Sequence, residues 1–323
     1  MTTNTQTNQS PVAVISLTLN AAIDRTVTIP HFSVGQVNRV ELSTDRAGGK
    51  GVNVAATLAD LGCGVAVGGF LGEANDGIFR DLFAAKGIAD HCLRLPGATR
   101  VGIKVMDPVS QETTDINFSG LVPTEADLVE LQRGLLGRLR QGLRVVLAGS
   151  LPPGVDPGFY ADLTVELRRL GAEVIVDTSG EPLRQILAAE ILPQVLKPNV
   201  HELQEAVGRE LTDPQAVAAE SRGLLARGAH WVVVSMGAAG AVFTSQDESL
   251  LAVPPSVAVR STVGAGDAMV AGIVYGRCHG LSLAATARLA TALSLDRLSH
   301  LGDGISGRDT VDAFASQVRV EPW

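Results

Sequence analysis

The chain has 323 residues, 46% hydrophobic, 19% charged and 4% aromatic, and its 34 acidic and 26 basic side chains give a formal charge of −8. That apolar share excludes a disordered chain, and the acidic excess argues against a nucleic-acid binder. The length accommodates one large or two modest domains with a well-buried core.

The first ten residues, Met1 to Ser10, are polar and lack both a basic n-region and an apolar h-region. They are expected to form a disordered polar tail rather than a signal peptide, with a single domain over 11–323. From there, short apolar runs alternate with longer stretches of helical period. Val12–Leu17, Val65–Phe70, Val145–Ala148, Val174–Val176, Val195–Leu196 and Trp231–Val234 read as buried strands. Helices are expected over Val52–Leu61, Gly77–Lys86, Glu125–Arg140, Pro157–Leu170 and Gln215–Arg227, and after Gly264 over Ala265–His279, Leu283–Ser299 and Asp309–Val318. Thr124 and Asp127 suit an N-cap and a charged first turn. The pattern predicts an α/β fold, a mostly parallel, doubly wound sheet with helices on both faces and ligands at the strand ends.

Two segments break this rhythm. Arg25–Thr44 and Arg100–Ser119 are rich in Val, Ile and Thr with turn residues inside, and read as antiparallel hairpins with one polar face. Together they would make a small β-sheet lid, over about 25–46 and 100–119; the alternative is that they are edge strands of the main sheet.

Three cysteines, Cys63, Cys92 and Cys278, show no CxxC spacing, and the six histidines show no metal-ligand spacing. A reducing, cytoplasmic setting is expected. Arg260 and Asp267 interrupt the most apolar stretch, Val257–Tyr275, so no membrane span is expected.

Four segments could carry chemistry. Gly264, Ala265 and Gly266 precede an apolar helical run that begins near Asp267. Free amides at such a helix start suit a developing phosphoryl charge, and Asp267 could take a proton from an attacking hydroxyl. The same residues could equally be a glycine turn with a capping Asp. Ahead of the first long helix lie Gly48 and Gly49, which permit close backbone approach, then Lys50, a point charge suited to phosphate, and Asn53, which can meet hydroxyls. Asn199 and Glu202, three apart after Lys197 and Pro198, could hold a hydrated Mg²⁺ or simply form a capping box. Asp24, expected in a loop after the first strand, could bind sugar hydroxyls. A Walker A loop fails because Gly51 follows Gly49-Lys50, and a Rossmann GxGxxG fails at Met269.

The motifs TLNAAID (18–24), AGGKGVNVA (47–55), TDINFSG (114–120), GSLPPG (149–154), KPNVHE (197–202), SMGAAG (235–240) and STVGAGDAMVAG (261–272) run in family order. The sequence resembles the PfkB/ribokinase superfamily of carbohydrate kinases, and within it the bacterial 1-phosphofructokinases. That resemblance implies a ribokinase-like fold with a β lid that often forms a homodimer interface. It also implies transfer from ATP, with Mg²⁺, to the 6-hydroxyl of fructose 1-phosphate. Tagatose-6-phosphate or fructose-6-phosphate kinase is the alternative, and a non-catalytic sugar-phosphate sensor an alternative of another class.

By the resemblance, Asp267 is the base and the amides of Gly264, Ala265 and Gly266 form the anion hole. Asn199 and Glu202 organise Mg²⁺ through water, Lys197 lies near the nucleotide phosphates, and Ser235, Gly237 and Gly240 cradle ATP. Asp24, Gly48, Gly49 and Asn53 meet the sugar, and Lys50 and Arg100 its existing phosphate. Two departures stand out. Ala21 replaces the usual Pro, and Ser294–Gly302 is unlike the family's small, apolar adenine-side run.

Overall fold

The computed structural model describes residues 12–300 and 302–323, so the expected tail over 1–10 lies outside the described residues. The chain opens with β1 (Val14–Thr18), β2 (Ala22–Thr28), β3 (Leu42–Gly48), α1 (Lys50–Asp60), β4 (Val65–Gly72), α2 (Gly77–Lys86) and β5 (Ala89–Leu95). It continues through β6 (Arg100–Asp107), β7 (Glu112–Asn117), α3 (Glu125–Leu136), β8 (Arg144–Ala148), α4 (Phe159–Arg169), β9 (Glu173–Asp177), α5 (Gly180–Ala188) and β10 (Val195–Leu196). Then follow α6 (Val200–Val207), α7 (Pro214–Ala226), β11 (Trp231–Ser235), β12 (Ala241–Thr244) and β13 (Ser249–Val253). The last elements are α8 (Ala265–His279), α9 (Leu283–Ser299), α10 (Arg308–Gln317) and β14 (Arg319–Pro322).

Ten strands form the main sheet in the order β14-β13-β12-β11-β10-β9-β8-β1-β4-β5. From β11 through to β5 every pairing is parallel, as the uninterrupted apolar runs required: all residues of β1 and β4 are buried. The chain first winds outward from β1 through β4 to β5. It then crosses to β8 on the other side of β1, so Val14 pairs with both Val65 and Arg144. That reversal opens a crevice at the carboxyl ends of β1 and β8, where open α/β sheets bind ligands. The flank β12-β13-β14 is antiparallel. Thr124 caps α3 as expected, its hydroxyl accepting from the Asp127 amide in a reciprocal capping box.

The two hairpins form a separate four-stranded sheet, β3-β2-β6-β7, and are not edge strands of the main sheet. Its central pair, β2 and β6, is parallel, and each outer strand is antiparallel to its neighbour. Side-chain alternation sorts its two faces. Asp24 stands opposite Gly102 and Arg46, and Lys104 opposite Asp115, on the polar face. Val27, Ile29 and Val105 form a small apolar cluster on the other. The first hairpin of this sheet begins at Ala22 and runs to Gly48, so Asp24 is held in a strand instead of the expected loop.

Candidate active site

Strand ends deliver most of the polar groups. Asp177 closes β9, Lys197 follows β10, and Ser235 closes β11, while α1 and α8 point their amino ends at the same region. Gly264 caps α8 in the left-handed conformation (φ 80°), which an L side chain rarely adopts. The first helical bond runs from the Ala268 amide to the Gly264 carbonyl at 2.8 Å. The amides of Ala265, Gly266 and Asp267 precede it and have no partner within the helix, as at any helix start.

Asp267 is buried, 6% exposed, in the first turn of α8. Its Oδ2 accepts from Asn53 Nδ2 at 2.8 Å. Burial, opposed mainly by the Lys50 ammonium, raises its carboxyl to a pKa of about 6. A carboxylate so placed is mostly ionised at neutral pH yet can still accept a proton, as a general base must.

Two crevices meet at the Asn53–Asp267 hydrogen bond. One, of about 240 Å³, is walled by the small sheet and contains Asp24, Arg46, Lys104, Asn53 and Arg297. The other, of about 520 Å³, contains Lys50, Lys197, Asn199, Glu202, Ser235, Gly237 and, at the start of α8, Gly264, Gly266 and Asp267. A third cavity, about 560 Å³ beneath α3, has an apolar floor of Ile15, Leu17 and Leu93 and none of these groups. Its polar lining, His91, Glu130, Arg133 and Arg138, comes from β5 and α3 and lies apart from the glycine-capped start of α8.

Lys50 is the residue that the resemblance pairs with an acceptor's phosphate. It opens α1 and faces the second crevice, its Nζ 3.2 Å from Asp177 Oδ2. Lys197 Nζ lies 3.4 Å from the other oxygen, Oδ1. Neither contact has hydrogen-bond alignment, so Asp177 is held between two ammonium groups by charge rather than by directed bonds. Burial alone would raise the Asp177 carboxyl, but Lys197 and Lys50 together bring it below its ordinary value. Reciprocally, Asp177, Asp267 and Glu202 overcome the burial of Lys50 and raise its ammonium above the usual range. Lys197 Nζ also lies 3.6 Å from where a Gly266 Cβ would stand, beside the α8 amides.

Gly48 leaves room for Asp24: a Cβ there would fall 2.2 Å from Asp24 Oδ2. Burial raises the Asp24 carboxyl, opposed first by Arg100 and then by Lys104. Gly49 caps α1 at φ 105° and packs against Thr18 and Ala21. Arg100 does not line the first crevice; it donates to the carbonyls of Asn20 (3.2 Å) and Phe118 (3.5 Å). Gly240 also stands apart from the crevices, with its Cβ position against the Ala252 carbonyl at the turn into β12. Asn199 and Glu202 form a capping box for α6: Asn199 N donates to Glu202 Oε2 (2.8 Å) and Glu202 N to Asn199 Oδ1 (2.9 Å). One oxygen of each side chain is thereby engaged, and among the described residues no cluster of three or more acidic, His or Cys groups forms a metal cage. The pair therefore fits a hydrated Mg²⁺ reached through water better than a directly ligated one.

Sequence reasoning missed Asp177, Arg46 and Arg297. Asp177 ends an apolar strand on the ligand edge, a signal the sequence did carry. Arg46 and Arg297 converge only through the tertiary fold.

A doubly wound sheet, a separate polar-faced small sheet and a buried Asp at a glycine-capped helix start define a ribokinase-type sugar kinase. The sequence pattern of the pfkB family carbohydrate kinases matches residues 10–307, and the chain belongs to that family. It is 48% identical to the 1-phosphofructokinase of Rhodobacter capsulatus over 95% of this chain and 97% of that protein. It is 39% identical to the Escherichia coli 1-phosphofructokinase over 96% and 98%. Among solved structures, the E. coli phosphofructokinase-2 in complex with substrates and products superimposes with a TM-score of 0.88 at 30% identity, covering 94% of this chain and 99% of that one.

Proposed function

We propose that this kinase transfers the γ-phosphoryl group of ATP to the 6-hydroxyl of D-fructose 1-phosphate, giving fructose 1,6-bisphosphate and ADP. The observation that carries the reading is the position of Asp267, a carboxylate titrating near neutrality where two polar crevices meet. The acceptor occupies the smaller crevice, with Asp24 and Asn53 on its hydroxyls. The triphosphate occupies the larger one, between Lys50, Lys197 and the loop from Ser235 to Gly237.

Asp267 removes the proton from the acceptor hydroxyl as its oxygen bonds to the γ-phosphorus. The bond from that phosphorus to the β,γ-bridging oxygen breaks, and ADP carries away the electron pair. The amides of Gly264, Ala265 and Gly266 face the charge on the moving group, and Lys50 and Lys197 offset it from the donor side. Asn199 and Glu202 would hold Mg²⁺ through water, and the ion would supply charge neutralisation on the donor phosphates. Arg100 ties the Asn20 and Phe118 segments around the acceptor and places its charge toward Asp24.

The small sheet serves as a lid and as a homodimer interface. Its face away from Asp24 and its loops expose Val34, Val37, Ile116 and Phe118, apolar side chains that a second copy would cover. The three free cysteines accord with a cytoplasmic protein. Among the described residues no helix is long and apolar enough to cross a membrane.

Fructose 6-phosphate is the competing acceptor, because an E. coli phosphofructokinase-2 structure in complex with it superimposes with a TM-score of 0.86. A coupled ADP-release assay with fructose 1-phosphate, fructose 6-phosphate, tagatose 6-phosphate and free fructose decides among them. The reading requires the highest kcat/KM for fructose 1-phosphate. A higher value for another acceptor replaces that substrate, and no ADP release with any of the four would leave a sugar-phosphate sensor.

A further inference from the structure

The cavity beneath α3 shares no residue with the two polar crevices. It has a volume of about 560 Å³ between α3 and the face of β1, β4 and β5. Close packing ordinarily leaves no such space between a helix and a sheet, and cavities that hold small molecules span roughly 300–1,000 Å³. Glycines keep it open: Gly68 in β4, Gly134 in α3 and Gly137 at the end of that helix. A Cβ at Gly134 would meet only the Arg138 guanidinium, at 3.4 Å. The walls are aliphatic, with Ile15, Leu17 and Leu93 on the sheet side and Leu131 and Leu135 on the helix side. No Phe, Tyr or Trp lines it, so a flat base or ring would find nothing to stack on.

The rim is cationic. Arg133 and Arg138 make no ion pair with a carboxylate among the described residues, and Glu130 makes none with a cation. Arg138 Nη1 donates to the Gly134 carbonyl at 2.5 Å, which leaves the rest of its fork free. His91 lines the same cavity, and its Nδ1 is buried without a hydrogen-bond partner. Burial first, and then the charge of Arg138, push the imidazole below its ordinary value. A neutral ring can carry its proton on that nitrogen and donate it. Two guanidinium groups against one carboxylate favour an anion, and Glu130 repels a second negative charge.

We propose that this cavity is a binding site for a medium-chain aliphatic carboxylate, with its chain along Ile15, Leu17, Leu131 and Leu135 and its head group at Arg133 and Arg138. Guanidinium forks match a carboxylate in geometry as well as charge, and each buried methylene adds to the affinity.

Calorimetry on the full chain with hexanoate, octanoate and decanoate tests it, with 1-decanol and decyltrimethylammonium as the neutral and cationic counterparts. Decanoate should bind one to one, and affinity should rise about fourfold for each methylene added. Arg133→Met and Arg138→Met should each weaken decanoate about tenfold and leave 1-decanol unchanged, whereas Glu130→Gln should tighten decanoate. Gly134→Leu fills the cavity and improves helix propensity, so it should abolish binding of both while keeping turnover and melting temperature. The guanidinium variants decide independently should the filled variant not fold. No binding of decanoate at millimolar concentration overturns the proposal. So does binding that Gly134→Leu retains in full, equal affinity for decyltrimethylammonium, or displacement of decanoate by ATP, which would put it in the larger crevice.

Discussion

Asn53 reaches Asp267 across 214 residues of sequence, its Nδ2 donating to Oδ2 at 2.8 Å. The bond joins the first turn of α1 to the first turn of α8, and so ties the wall of the smaller crevice to the carboxylate facing the larger one. It also stabilises the ionised form of Asp267, as Lys50 does, against the burial that favours the neutral form.

The pH dependence follows from that balance. A base acts when unprotonated, so kcat/KM for the acceptor should fall on the acid side with an apparent pKa near 6, the value at which Asp267 titrates. Removing either stabilising partner favours the neutral acid, so Lys50→Met and Asn53→Ala should each move the limb to higher pH. Rate profiles of the three proteins between pH 5 and pH 9 check this. A limb that stays in place in both variants would assign the titration to another group.

Ionised Asp267 should cost the fold stability. Its folded value, about 6, exceeds the ordinary 3.8, so the native state binds the proton more tightly than the unfolded chain. The resulting stabilisation is complete below 3.8 and is lost as pH rises through 6; the linkage is worth up to about 3 kcal/mol. Asp267→Asn, neutral at every pH, should therefore match or exceed the wild-type melting temperature at pH 7.5. A fall of more than a few degrees would contradict the cost assigned to this buried charge.

Asp177 has the opposite sign. Its folded value lies below the ordinary one, so its contribution is present above 3.8 and is lost as pH falls through the lower folded value. Asp177→Asn removes the carboxylate between Lys50 and Lys197 and leaves them only the more distant charges of Asp267 and Glu202, at a cost of up to about 3–5 kcal/mol near neutral pH. Urea denaturation at pH 7 measures it, and a loss below about 1 kcal/mol would show that the two ammonium groups do not depend on this carboxylate.

Gly48→Ala should separate function from stability. The added methyl would meet the Asp24 carboxylate at 2.2 Å, and that flexible end can swing away. The acceptor KM should rise at least about tenfold with little change in melting temperature. An unchanged KM would remove Asp24 from the acceptor site.

What the sequence made legible follows a physical divide. Gly77–Lys86, Ala265–His279 and Leu283–Ser299 are helices with the expected bounds, because Gly87, Gly264, Gly280 and Ser282 punctuate their ends; the last two helices are apolar on most of their faces rather than on one stripe. β5 was not foreseen, since Asp90, His91 and Arg94 dilute its apolar pattern at the sheet edge. The pair β12 and β13 was not foreseen either, and neither was α5, which is short and contains Pro182. Asn53 and Asp267, each readable from its own local motif, meet as a hydrogen-bonded pair. The destination of Lys50 was not readable, because a glycine-rich turn fixes the backbone but not which of two crevices a four-carbon side chain enters. Asp177 decides that, from a strand whose sequence shows only a buried run with an acid at its end.

The most direct measurement is the turnover of Asp267→Asn with MgATP and fructose 1-phosphate, alongside calorimetric binding of ATP to the same protein. Turnover should fall by on the order of 10²–10⁴ while ATP binding and the folded state are retained. Turnover close to wild type would contradict Asp267 as the base, and with it the chemistry assigned to the junction of the two crevices.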